Sequence, residues 1–143
     1  MKDDGFTQLG TGKHEVRVVG DFVTMRSHGL TMLEDFQALM ATCARVKREH
    51  GSLFVMYDSR DGAGIDRSAR KALLQPAPDE LRADATAAFG TKFSSKIILN
   101  MLDRALVAFG KNPSGVSIFD TEAEALAYIE KERVRLNKPR PVL

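Results

Sequence analysis

The sequence predicts an α/β domain whose mixed sheet of four or five strands opens with an antiparallel hairpin and has helices packed on it. Three observations predict it. Residues 14–19 alternate, with Val16 and Val18 on one side and Glu15 and Arg17 on the other, the pattern of a half-buried strand. Gly20-Asp21 then stands between two apolar stretches, a two-residue turn that returns the chain through residues 22–26. From there strand-like and helix-like stretches alternate to the C-terminus, the order that builds a mostly parallel sheet under helices.

Each later element has its own signal. Residues 1–13 contain three glycines and no periodicity, and read as a flexible lead-in. Ser27-His28-Gly29 breaks the second strand. Thr31 and Glu34 have the spacing of a capping box, in which each side chain satisfies a backbone N–H near the other. The helix that follows carries Leu33, Phe36, Leu39, Met40, Cys43 and Val46 as one apolar stripe and ends at Gly51. Residues 53–57 are apolar without alternation, as in a central strand covered on both faces. A polar loop is expected over residues 58–64. Asp66 is placed to cap a short helix through Leu74, and residues 86–89 read as a strand closed by Gly90. Residues 93–109 are helical by period with a wide apolar arc. Residues 116–119 form a last strand, and Thr121 with Glu124 is a second capping box for a helix through about Leu136, with Leu126 and Ile129 inward. One domain over residues 14–136 and a tail over 137–143 follow.

Composition narrows the function classes. Of 143 residues, 43% are hydrophobic and 28% charged, which excludes wholesale disorder. The longest apolar run is five residues long, far from a transmembrane segment, and the polar first fifteen residues show no signal-peptide core. The single cysteine, Cys43, permits no internal disulfide and fits a reducing compartment. The net charge is +2, but residues 131–140 alone contribute +4. The rest of the chain is therefore slightly acidic. The basic stretch reads as a solvated helix end, and no nucleic-acid partner is expected, because such domains gather basic charge on a folded face.

No self-sufficient catalytic signature is present, so no enzymatic activity is expected. Gly62-Ala63-Gly64 is part of a dinucleotide fingerprint, but Arg67 stands at the third glycine position. His14, His28 and His50 lack ligand spacing and read as surface or hairpin residues. Cys43 lies on the apolar stripe as a small core side chain. No metal and no cofactor is expected. Residues 58–64 hold the position where open α/β sheets place ligands, after a central strand and before a helix. Asp58 and Asp61 are expected to tie down turn N–H groups there, and the Ser59 hydroxyl to bond another.

The hairpin, the capped helix, the buried strand ending in Asp58-Ser59-Arg60, and the ending Phe119-Asp120-Thr121-Glu122-Ala123-Glu124-Ala125-Leu126 together resemble the STAS-like proteins over roughly residues 14–132. More narrowly, they resemble the SpoIIAA-like branch, relatives of bacterial anti-anti-sigma factors. The resemblance implies a small cytoplasmic, non-catalytic regulatory module. It implies a regulatory protein partner met through Asp58, Ser59, Arg60, Asp61 and Gly62, and leaves a homodimer open. The alternative it implies is a carrier of a lipid-like ligand, for which the wide apolar arc of residues 93–109 offers a cleft wall through Met101, Leu102 and Leu106. In the family pattern an Asp is followed by two hydroxyl residues and Gly, the second hydroxyl being the phosphate acceptor. Aligned on Asp58, Ser59 matches the first, Arg60 stands at the acceptor, and Gly62 falls one place late. Ser59 is therefore not expected to be an efficient kinase substrate. Arg60 is expected to meet an anionic partner or to pair with Asp61.

Overall fold

The computed structural model describes residues 5–73, 75, 82–91 and 116–141. The helix expected over residues 93–109, with Met101, Leu102 and Leu106, lies outside them, as do the last two residues of the chain.

Six strands form one sheet in chain order: β1 (Thr7–Gln8), β2 (Glu15–Val19), β3 (Phe22–Thr31), β4 (Phe54–Ile65), β5 (Ala85–Phe89) and β6 (Val116–Phe119). The first two pairings are antiparallel and the other three parallel. The hairpin forms as expected, with Val19 opposite Phe22 and Gly20 at φ 61°. The expected four or five strands become six because part of the lead-in is ordered. Thr7 and Gln8 pair with β2, and Leu9 is buried beneath α1 (Leu33–His50). A two-residue strand leaves no periodicity to read.

Both faces of the sheet are covered. On one, Val16, Val23, Met25, Leu53 and Val55 meet Leu39, Cys43 and Val46 of α1. On the other, Phe54, Met56, Ala87 and Phe89 meet Ala125 and Ile129 of the C-terminal helix. This two-sided cover explains the unbroken apolar run at the start of β4. Val18 shares the α1 face with Val16 but is 37% exposed, because α1 does not extend over it. It stands instead in an open groove of ≈ 440 Å³ between β1–β2 and α1, lined also by Leu9, Ala38, Thr42 and Arg45. Burial drives the Cys43 thiol up to about 12, so it stays protonated as a core side chain.

Three further expectations are corrected. β3 runs on to Thr31, so Ser27-His28-Gly29 does not break it. Thr31 therefore belongs to the strand, and the cap of α1 shifts by one residue: the Met32 N–H donates to Asp35 Oδ2 at 2.9 Å. His14 is no surface residue. It is 1% exposed, its Nδ1 accepts the His28 N–H at 3.0 Å, and its Nε2 lies 3.1 Å from Asp35 Oδ2 and 3.3 Å from the Leu30 carbonyl. A nitrogen that accepts a backbone N–H carries a lone pair, so Nε2 bears the proton. His14 thus joins the end of β3 to the start of α1. Asp66 caps α2 (Arg67–Leu73) as expected, accepting the Ser68 N–H at 3.0 Å. The last helix, α3 (Glu122–Leu136), shows its predicted capping box complete: the Glu124 N–H donates to Thr121 Oγ1, and the Thr121 N–H to Glu124 Oε1.

Candidate functional site

Residues 58–64, expected as a loop, continue β4 as a bulged strand. Arg26 pairs with Asp58, but His28 pairs with Asp61 and Thr31 with Ile65, so β4 carries one extra residue on each side of the Asp61–Gly62 step. Bulges re-aim side chains, and they recur beside functional sites. Here they push Arg60, Asp61 and Ala63 into solvent while Gly62 stays buried against Ser27. The neighbouring β5 ends level with Asp58, where Phe89 is followed by Gly90 at φ 70°. Among the described residues, β4 pairs with β3 alone beyond that point. The polar composition that suggested a loop reflects this half-covered position rather than a turn.

Asp58 anchors the site. It is 4% exposed, and both its oxygens accept from the Arg60 guanidinium, Oδ1 from Nε at 3.0 Å and Oδ2 from Nη2 at 2.7 Å. Oδ1 also accepts the Arg60 backbone N–H at 3.2 Å, the local tie expected of an Asp in this position. Arg26 Nε lies 3.6 Å from Oδ2 on the β3 side. Burial pushes the Asp58 carboxyl up. The hydrogen bonds from Arg60 and the charges of Arg60 and Arg26 outweigh it and hold the group below its ordinary value. Asp58 is thus an ionised anchor rather than a group poised for proton transfer near neutral pH.

Arg60 is the exposed product of that anchor. Its partner is Asp58 and not Asp61. Its guanidinium lies over the Phe89 ring, 5.2 Å from the centroid. A Cβ on Gly90 would stand 2.5 Å from Arg60 Cγ, so the glycine makes room for the side chain. With 60% of the side chain still exposed, Arg60 presents a fixed cation at the C-terminal ends of parallel strands. A polar array continues sideways: Arg26 Nη1 lies 3.7 Å from Glu15, Glu15 Oε1 is 2.7 Å from His28 Nε2, and His28 Nδ1 is 3.9 Å from Asp61. Arg26 also stacks on Phe6 at 3.8 Å.

The structure therefore brings together Asp58, Arg60 and Asp61 of the predicted set. Glu15, Arg26 and His28 join them, and sequence reasoning missed these three. A signal existed for one pair: a two-residue turn at Gly20-Asp21 fixes Glu15 opposite Arg26. Among the described residues, no three His, Cys, Asp or Glu side chains are placed to hold a metal ion, and no helix is long and apolar enough to cross a membrane.

No protein-family model matches the sequence, and no curated protein matches it significantly. Solved structures do. The anti-sigma factor antagonist SpoIIAA in its unphosphorylated form is 15% identical, with a TM-score of 0.57 over 82% of this chain and 97% of its own. An anti-sigma factor antagonist assigned in Thermotoga maritima is 13% identical, with a TM-score of 0.55 over 80% and 92%. An uncharacterised Shewanella loihica protein with a SpoIIAA-like fold is 14% identical, with a TM-score of 0.50 over 85% and 99%. At these identities the likeness establishes the architecture: the chain has the SpoIIAA-like fold.

Proposed function

We propose that this chain is a non-catalytic, cytoplasmic regulatory module that docks a protein partner on the bulged end of β4, at residues 58–62. One observation carries the reading: a SpoIIAA-like sheet presents a bulged, half-paired strand end with Arg60 held rigid by the buried Asp58. Preorganised arginines lose little freedom on binding and are favoured at the energetic centres of interfaces. The adjacent Asp61 and the Glu15–His28 pair give the rim mixed charge, which sets register and excludes wrong partners. The titratable groups of the array are engaged with one another, which favours a recognition surface over acid–base chemistry. Arg60 occupies the acceptor position of the family's phosphorylation pattern, so partner choice here is governed without a phosphate at that position.

The test is affinity enrichment from the native cell extract with the wild-type chain, an Arg60→Glu/Asp61→Lys variant, and an Arg48→Glu control on the exposed far end of α1. The reading expects a protein retained by wild type and control and reduced about thirty-fold or more by the β4 variant, the loss typical of an interface hot spot. Equal retention by the β4 variant, with circular dichroism showing it folded, would refute it.

A further inference from the structure

Helix α3 covers β4, β5 and β6, yet only Ala125, Ile129 and Arg133 along it are buried. Its first half is attached by apolar contact and its last half by charge. Arg133 crosses the Phe54 ring at 4.2 Å and reaches Asp21 in the β2–β3 turn, Nη2 to Oδ1 at 2.5 Å and Nη1 to Oδ2 at 3.0 Å. Asp21 also accepts from Ser52 Oγ at 2.6 Å. One turn on, Lys138 Nζ meets Asp84 Oδ1 at 2.6 Å, and Asp84 Oδ2 takes Lys47 Nζ and the Leu53 N–H. Two residues of the basic segment expected to be a solvated end, Arg133 and Lys138, are therefore folded back onto the molecule. Arg135 and Arg140 instead keep the expected solvated character: they are 62% and 69% exposed and pair within the segment, with Glu132 and Glu130.

We propose that α3 is a releasable cover, clasped at its C-terminal end by Asp21 and Asp84, and that opening the clasp lifts it from the sheet as a unit. A general property of buried ion pairs and two observations support this. A buried ion pair fixes geometry more than it adds net stability, because desolvating both charges offsets their attraction. The buried Arg133 Nε has no hydrogen-bond partner, and Glu130 Oε1 is 3.8 Å away, so the contact is incompletely satisfied. The core under α1 shares no side chain with the core under α3, although β3 and β4 contribute to both from opposite faces, so the contacts between α1 and the sheet do not run through α3. Release would remove the α3 contacts of Phe54, Met56 and Phe89. It would also move Glu122 from the neighbourhood of Arg60, where its charge is felt.

Hydrogen–deuterium exchange of the full chain at neutral pH tests the proposal, comparing wild type with Asp21→Asn and Lys138→Ala. Protection of amides 125–136 should fall about ten-fold or more in Asp21→Asn and about three-fold in Lys138→Ala, while amides 36–47 of α1 change less than about two-fold. If Asp21→Asn fails to fold, the partly exposed Lys138 pair decides the matter. A parallel loss of protection in α3 and α1, or no change in α3, would overturn it.

Discussion

Asp58 and Gly90 together place Arg60, one by charge and one by the absence of a side chain. Removing the charge in Asp58→Asn leaves a largely exposed Arg60 free to hydrate. The expected loss is therefore about 1–2 kcal/mol, below that of a fully buried pair, measured as a shift in urea midpoint. The same variant checks the titration. The folded Asp58 carboxyl lies below its ordinary value of 3.8, so its contribution is complete above the unfolded value and vanishes as pH falls below it. The stability gap between wild type and Asp58→Asn should hold steady near neutral pH and shrink below about pH 4. Gly90→Ala should cost about 1–3 kcal/mol, since a side chain at φ 70° is strained and its Cβ meets Arg60. At this scale the sequence was only partly informative. Asp58, Arg60 and Asp61 were legible as a polar cluster after a central strand. The choice of Asp58 over Asp61 as the arginine's partner was not, because it depends on a bulge that alternation does not reveal. Buried His14 was missed for a related reason: its partners, Asp35 and the His28 N–H, lie on other elements.

The helices show where local patterns suffice and where they mislead. Thr121 and Glu124 form the box their spacing predicts, because nothing competes for residue 121. Thr31 and Glu34 have the same spacing, yet β3 claims Thr31 as its last paired residue and Asp35 takes over the cap. Strand pairing here overrides a local capping preference. The two cases separate by mutation in thermal or urea unfolding. Thr121→Ala should cost about 1 kcal/mol, as for an ordinary N-cap. Asp35→Ala should cost about 2 kcal/mol or more, since it removes both the α1 cap and the partner of buried His14. Glu34→Ala should stay within about 0.5 kcal/mol. If Glu34 proved the costlier of the two, the cap assignment would be wrong. Strand lengths were underread for the same physical reason. The second halves of β3 and β4 pair chiefly with each other, so they retain polar residues that resemble loops.

For the whole molecule, the hairpin, the parallel order and the two covered faces were all legible, because each rests on periodicity or turn chemistry within a short window. The closure by the C-terminal segment was not, since Arg133 and Asp21 belong to opposite ends of the chain. That closure has a pH signature. Burial raises the carboxyls of Asp21 and Asp84, but Arg133 and Ser52 on the first, and Lys138, the Leu53 N–H and Lys47 on the second, hold both below the ordinary value. Both contributions are complete at neutral pH and disappear as pH falls below the unfolded carboxyl value of 3.8, alongside that of Asp58. Acid unfolding should therefore begin steeply below about pH 4, and near-UV circular dichroism would follow it.

The claim that joins these scales is that the bulged end of β4 meets a protein. A photoreactive residue placed at Ala63, exposed beside Arg60 and Asp61, tests it inside the native cell, with the same residue at Arg48 as reference. A discrete protein adduct at position 63 and none at position 48 is the predicted result. An adduct at position 48 without one at 63, or no protein adduct at position 63 at all, would contradict it.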